Sequence, residues 1–213
     1  KINTGGATAN SAVRVRAADN TVLVQTGATF AAAGAAGLSG SIDSGIVTKQ
    51  TYARIGDADV NASSVEVSAD SSEAVYNITV NAALAGGAGV GGAVGVDVIR
   101  NKTWASIGAG ADIDASGNIS VNATQDSAAE IYTVSGAGGI GIGVSGAVSV
   151  GVIANETKAY VEGSAGNAAT LNAGGTTSVV ADSSEKLTSV TISGAAGGLA
   201  GVAGAVGVKV VGS

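Results

Sequence analysis

The chain has 213 residues, of which 35 are glycine, and it contains no proline, cysteine, methionine or histidine. Its formal net charge of -6 argues against a nucleic-acid partner, because proteins that bind nucleic acid carry a basic stripe. Without cysteine the chain has neither disulfides nor thiolate chemistry, and with few aromatic residues it is better suited to a thin stack of strands than to a compact globule.

An internal repeat organises the whole sequence. Four short alternating segments, at residues 13–17, 65–69, 119–123 and 177–181, each end in alanine, and by subtraction these alanines lie about 52, 54 and 58 residues apart. Thr51, Thr103 and Thr157 keep the same spacing. Within each repeat the apolar residues recur every second position, which predicts β-strands.

The repeat boundaries follow from these landmarks. Residues 1–11 are expected to end a preceding repeat, residues 12–63 form a degenerate first repeat, 64–117 the second, 118–176 the third, and 177–213 a truncated fourth. Because the chain starts and stops inside a repeat, it is expected to be part of a longer array. The turn signals predict several short strands per repeat, enough for two or three coils that would lengthen the stack by about 10 to 14 Å per repeat.

The alternation also suggests which side chains face the core. Residues 45, 97, 151 and 209 are equivalent and are Gly, Asp, Gly and Lys. A position that accepts glycine, an acid and a base is expected to face water, so the neighbouring Val94, Val96 and Val98 are expected to face the core. The predicted fold class is all-β: an elongated parallel β-solenoid of about 54-residue repeats, right-handed by analogy with other parallel crossovers.

Two glycine-rich motifs have simpler interpretations than their usual ones. Residues 87–92 and 141–146 match G-x-G-x-x-G, but β-alternation follows them instead of the helix that a dinucleotide site needs. The uncharged run 133–155 is long enough to span a bilayer. It lacks aromatic or basic anchors, and the equivalent runs carry Asp97 and Lys209, so buried strands are expected and a membrane partner is not.

Paired acidic residues in equivalent turns raise the question of calcium. The candidates are Asp57, Asp59, Asp112 and Asp114. Two carboxylates per turn do not complete an oxygen cage, so a role in shaping the turns is favoured and no metal or other cofactor is expected.

Other residues are candidates for surface roles. Tyr52 and Trp104 share one repeat position, where the third repeat has Lys158, so this position is expected to be exposed; a ligand-binding stripe is one interpretation, and a pair of aromatic residues at the rim is the favoured one. Tyr76 and Tyr132 are expected to share a second position. If the chain is exported, N-x-Ser/Thr sequences offer glycan acceptors at Asn61, Asn77, Asn101, Asn118, Asn122 and Asn155, although asparagine is also common in turns. Because the chain has no histidine or cysteine and its few lysines and glutamates do not converge, an enzyme is not expected.

Two segments carry a family resemblance: AGGAGVGGAVGVDVIRNKTWASIG at 85–108 and GIGVSGAVSVGVIANETKAYVEG at 141–163, each preceded by a V-x-V-x-A strand. They resemble the repeat region of large secreted bacterial adhesins of the filamentous and leukotoxin-like kind, exported as autotransporters or by two-partner secretion. The resemblance covers essentially the whole chain. It implies a β-solenoid stalk secreted to the bacterial cell surface for attachment, aggregation or biofilm formation, and it supplies no catalytic residues.

Three functions are therefore considered. The first is a structural and adhesive rod segment of a giant cell-surface adhesin, whose partners are flanking repeats of the same polypeptide and a host or cell-surface receptor. The second is a subunit of a self-assembling extracellular filament or sheath, which associates end to end through open strand edges. The third is a membrane-active toxin that uses the glycine-alanine runs.

Overall fold

The computed structural model describes residues 11–212, and within that range the chain is built from β-strands and turns. The expected end of a preceding repeat, residues 1–11, lies outside the described residues apart from Ser11, as does Ser213. The strands are β1 (Val13–Ala33), β2 (Ala36–Ile55), β3 (Asp59–Ala62), β4 (Val65–Ala85), β5 (Ala88–Ile107), β6 (Asp112–Ala115), β7 (Ile119–Gly139), β8 (Ile142–Ala154), β9 (Glu156–Val161), β10 (Gly163–Ser164), β11 (Asn167–Ala168), β12 (Thr170–Ala173), β13 (Thr177–Gly197) and β14 (Ala200–Gly212).

The strands stack into three parallel sheets, which confirms the predicted all-β parallel solenoid. Sheet one has the order β1-β4-β7-β13, and sheet two has the order β14-β8-β5-β2, with β9 also pairing with β5. Sheet three consists of the short strands β12-β6-β3. Each complete coil passes once through each sheet. With no proline in the chain, backbone N–H donors are available along every ladder.

Pairing follows the period that the sequence shows. Ala17 pairs with Ala69, Ala69 with Ala123, and Ala123 with Ala181. Thr51 likewise pairs with Thr103 in sheet two, and Thr103 with Thr157. Equivalent residues of successive repeats therefore lie directly above one another.

The number of coils per repeat differs from the sequence-based expectation. One repeat makes one coil, not two or three, so each repeat lengthens the stack by about 4.8 Å instead of 10 to 14 Å. The polar segment around Ser71 and Glu73, whose composition is typical of a bend, lies inside the continuous 21-residue strand β4. It does not break the strand because its polar groups are paired inside the coil: the Ser71 hydroxyl donates to the Glu73 carboxylate, and Ser127 of the next coil donates to it at 2.8 Å.

The main hydrophobic core lies where the three sheets meet. Ile107, Ile113, Ile119 and Val121 are fully buried there, and alanines fill the spaces between them. A smaller apolar layer follows along the long strands: Val47, Val75, Ile99, Ala129 and Ile153. Beyond these layers sheets one and two continue face to face as a long arm, which ends in a tight turn in each coil.

The arm reverses the expected orientation of the alternating residues. Ala93, Gly95 and Asp97 point inward and are buried, whereas Val94, Val96 and Val98 point outward. The prediction that the valines face a core was therefore wrong. The physical reason is the close approach of the two sheets, since a Cβ built on Gly89 would lie 2.4 Å from the carbonyl oxygen of Gly138 in the facing sheet. Only small or hydrogen-bonding side chains fit between them.

An insertion in the third repeat forms a local hairpin. β10 and β11 pair antiparallel, and Gly166 at their turn has a φ of 79°, a left-handed conformation that favours glycine. The segment between β9 and β12 absorbs this insertion, because β12 still pairs with β6 from Thr170 opposite Asp112. The longer third spacing thus leaves the stack in register. Among residues 11–212 there is no helix of the length and apolarity needed to cross a membrane.

Candidate functional site

Aromatic and basic side chains meet on the outer surface of sheet two. Tyr52 and Trp104 are paired residues of adjacent strands, and their ring centres lie 5.1 Å apart. Lys158, the next residue in that row, places its Nζ 5.2 Å from the Trp104 ring centre, and Lys102 Nζ lies 5.3 Å from it. Each cation–π contact contributes about 0.5–1 kcal/mol at an exposed site. The predicted shared position of Tyr52 and Trp104 is thus an aromatic pair with two ammonium groups over the tryptophan.

A carboxylate holds the two lysines in place. Glu156 forms ion pairs with Lys158 and, at 3.5 Å, with Lys102. The hydrogen bond from Lys158 is the main cause of a lowered pKa for Glu156, so this carboxylate stays ionised at neutral pH. Because the pairs are solvent-exposed, they orient the lysines more than they stabilise the fold.

A cleft of about 510 Å³ lies next to this cluster and crosses the strands of sheet two. Its lining residues are Thr48, Lys49, Gln50, Arg100, Asn101, Lys102, Ala154, Asn155, Glu156 and Gly212. We call the cleft together with Tyr52, Trp104 and Lys158 the basic–aromatic cleft. Ala154 and Gly212 give the cleft depth, because they carry little or no side chain on a surface where Arg100 and Lys102 carry long ones.

The cleft offers groups that can bind a polar ligand. Asn101 is only 2% exposed, and within the described residues neither the nitrogen nor the oxygen of its side-chain carboxamide has a hydrogen-bond partner. The buried indole N–H of Trp104 likewise has no hydrogen-bond partner among residues 11–212. Buried polar groups normally find partners. The side chain of Asn101 and the indole nitrogen of Trp104 are enclosed, so the groups open to a ligand are the aromatic ring face and the exposed cations Arg100 and Lys102, which suit an anionic ligand such as an acidic sugar.

The interior of the arm contains a second polar cluster that is closed to solvent. Asn77 donates to Asp97 at 3.0 Å, and Asp97 fits because the equivalent residues of the adjacent coils are Gly45 and Gly151. Burial is the main cause of the raised pKa of Asp97, and the negative charge of Asp43 adds to it. Since Asp97 is 1% exposed, we assign this cluster to packing inside the arm and not to ligand binding.

The structure separates the glycan-acceptor candidates into two groups. Asn77, Asn101 and Asn155 are buried, so they cannot carry a glycan in the folded chain. Each of these side chains is enclosed, either between the sheets or at the floor of the basic–aromatic cleft. Asn61 and Asn118 are exposed and Asn122 is partly exposed, so these three retain the access that modification needs.

The acidic turn residues remain at the surface. Asp57, Asp59, Asp112 and Asp114 are exposed, and Asp59 pairs in register with Asp112 at the edge of sheet three. Asp114 accepts a hydrogen bond of 3.0 Å from Asn172 of the next coil. Within the described range there is no group of three or more acidic, histidine or cysteine side chains placed to hold a metal ion.

One aromatic assignment from the sequence was wrong, and one set of residues was missed. Tyr76 pairs with Glu130, and Ile78 pairs with Tyr132, so the two tyrosines lie on different rows of sheet one. In the basic–aromatic cleft, sequence reasoning found the aromatic pair but not the charged groups beside it. The signal was present as Lys102-Thr103-Trp104 and Glu156-Thr157-Lys158 at equivalent positions, where period two brings the flanking residues to one face.

No protein-family model, no curated protein and no solved structure matches this chain, so the candidate site rests on its own geometry.

Proposed function

We propose that this chain is a structural and adhesive segment of a large bacterial cell-surface adhesin. The observation that carries the proposal is the stacking of one coil per repeat, which places equivalent outward residues in rows across the surface. Such a scaffold presents an extended contact surface whose rows vary without disturbing the backbone ladder. The adhesin resemblance of the two repeated segments supplies the biological setting.

The basic–aromatic cleft is the contact site in this proposal. Trp104 offers a ring face, and Arg100 and Lys102 offer positive charge on the same outer surface of sheet two. Aromatic and arginine side chains dominate the energetics of many recognition surfaces. We propose acidic surface carbohydrate as the receptor chemistry that this cleft contacts.

Bead attachment tests the adhesive role. Beads coated with the chain are expected to attach to cultured epithelial cells. Trp104→Ala combined with Arg100→Ala is expected to reduce attachment at least about fivefold, because each substitution removes an interaction on the order of 1 kcal/mol. Arg14→Ala is the matched control, because Arg14 is an exposed cation on sheet one away from the cleft. Attachment equal to that of albumin-coated beads, or an equal reduction in both variants, rejects the proposal.

A filament subunit is a second candidate, favoured by the strand edges. β1 and β13 stand at the two edges of sheet one, and β2 and β14 at the two edges of sheet two. Edge strands present unpaired backbone groups that a second copy in the same register satisfies. Negative-stain electron microscopy distinguishes the two proposals: discrete particles about 70 Å across, the length of a 21-residue strand, favour the adhesin segment, and continuous fibres favour the filament.

A further inference from the structure

The outer surface of sheet two is apolar and uncharged along the whole arm. We define the valine face as the outward residues from Ala36 to Ile46 of β2 and their paired residues in β5, β8 and β14. Its large side chains are well exposed in the edge strands, where Leu38 and Ile42 are each 79% exposed and Val206 is 56% exposed, and they are exposed or half-buried in β5 and β8. All residues of the valine face lie within the described range, and among them Ser44 is the one with a polar side chain. Contiguous apolar surface of this size marks an interaction site.

A row of glycines divides the valine face. Gly40, Gly92, Gly146 and Gly204 stack in register, and a Cβ built on any of them would meet no atom of the described residues within 4 Å. The fold itself therefore has no need of glycine in this row, and glycine weakens a strand relative to a β-branched residue. The row forms a groove, bordered two residues away on each side by ridges of branched side chains: Leu38, Val90, Val144 and Val202, and Ile42, Val94, Val148 and Val206.

The valine face is large enough to form an interface with the same face of a second copy of the chain. Four strands at about 4.8 Å and ten residue steps at about 3.3 Å give a face of about 19 by 33 Å. Two such faces in contact bury about 1,250 Å² in total, above the about 1,000 Å² that a specific interface requires. The ridges and the groove both run perpendicular to the strands, and their side chains repeat at the same strand-to-strand distance. A ridge of one copy can therefore lie in the groove of another with the strands of the two copies aligned.

The opposite outer face is a poorer candidate. The outward positions of sheet one include Tyr76, Glu130 and Lys186, and Tyr132 donates to Glu130 there. Charged groups are depleted from the centre of protein interfaces because their desolvation is costly. We propose that two copies of this chain associate laterally through their valine faces, with one ridge of each copy seated in the glycine groove of the partner and the sheets about 10 Å apart. This association is sideways, distinct from edge-to-edge stacking and independent of the adhesive role.

Paired charges placed on one face or the other test the proposal. Val94→Lys with Val148→Glu puts opposite charges on paired positions of adjacent strands in the valine face. The two charges attract each other within one copy, so the fold tolerates them. Docking of a second copy would have to remove water from both charges, which opposes association. Val80→Lys with Val134→Glu is the matched control, because these valines are paired in the same way on the outer face of sheet one. Sedimentation velocity over a concentration series measures the dissociation constant of each form.

The wild-type chain is expected to form dimers. The valine-face variant is expected to have a dissociation constant more than about a hundredfold higher than that of the wild type. The control variant is expected to change the dissociation constant less than about threefold. A wild-type chain that stays monomeric, or two variants that weaken association equally, overturns the proposal. Assembly that survives in both variants also overturns it and indicates edge stacking.

Crosslinking supplies a second readout that keeps the fold unchanged. The native chain has no cysteine, so Val148→Cys introduces a single thiol on the valine face and Val134→Cys a single thiol on the other face. A bismaleimide crosslinker with a spacer of about 10 Å, which spans the gap between the docked sheets, is expected to produce a covalent dimer with Val148→Cys and at least about tenfold less with Val134→Cys. Equal yields contradict lateral docking. Flotation of a monomeric wild-type chain with phosphatidylcholine vesicles would assign the face to lipid and likewise overturn the proposal.

Discussion

The reversed orientation of the arm makes a direct prediction about two glycines on one strand. Gly89 and Gly92 are three residues apart in β5 and therefore lie on opposite faces. A Cβ on Gly89 would lie 2.4 Å from the carbonyl oxygen of Gly138 and 3.2 Å from that of Ala83. Both contacts are with backbone, which cannot move without disturbing the ladder. A Cβ on Gly92 would meet nothing within 4 Å.

The same substitution should therefore have opposite effects. Gly89→Val is expected to lower the free energy of unfolding by about 3 kcal/mol or more, since overpacking against fixed atoms is not relieved by rotamer changes. This is a large part of the about 5–15 kcal/mol that stabilises a typical domain. Gly92→Val is expected to raise it by up to about 1 kcal/mol, because valine restricts the unfolded chain and prefers the strand.

Urea denaturation followed by circular dichroism measures both changes. The experiment is run where the wild-type chain is monomeric, because association would add to the apparent stability. Unchanged m-values would show that the unfolded states expose comparable surface. A Gly92→Val variant that loses as much stability as Gly89→Val, or a harmless Gly89→Val, would refute the assignment of inward and outward faces.

Three further substitutions probe the interior. Burial raises the pKa of Asp97, so the folded chain holds the carboxyl proton of Asp97 more tightly than the unfolded chain does. The contribution of Asp97 to the free energy of unfolding is therefore greatest below the unfolded-state pKa and falls as the pH rises through the folded-state pKa. Asp97→Asn should therefore raise the free energy of unfolding by about 1–3 kcal/mol at pH 7 and leave it unchanged near pH 3, as measured by urea denaturation; an equal gain at both pH values would contradict this assignment. Glu73→Gln removes the carboxylate 2.9 Å from Lys49 and should lower the free energy of unfolding by about 1–3 kcal/mol. Because the pair is buried, this loss should persist in high salt, and a loss abolished by salt would contradict the assignment. Ile113→Ala, at a fully buried core position, should lower the free energy of unfolding by about 2–5 kcal/mol. An unchanged midpoint of thermal unfolding would show that the core lies elsewhere.

Several structural features were predictable from the sequence because they depend only on periodicity. The spacing of Ala17, Ala69 and Ala123 predicted which residues pair across coils, and parallel in-register stacking makes sequence period and strand register the same quantity. The shared position of Tyr52 and Trp104 was predictable for the same reason. The lysines around Trp104 required knowledge of the strand path, because Lys102 contacts the ring from its own strand and Lys158 from the next.

The sequence alone determined the strand class, the repeat and the register of this protein. Only the tertiary structure decided that a repeat makes a single coil, because Glu73 is neutralised by Lys49 inside the coil and does not end the strand. The direction in which Val94 and Asp97 point was likewise decided by tertiary structure. An alternation of period two defines two faces but not which of them is inside; here the small distance between the facing sheets admits glycine, alanine and hydrogen-bonded polar groups and leaves the valines outside.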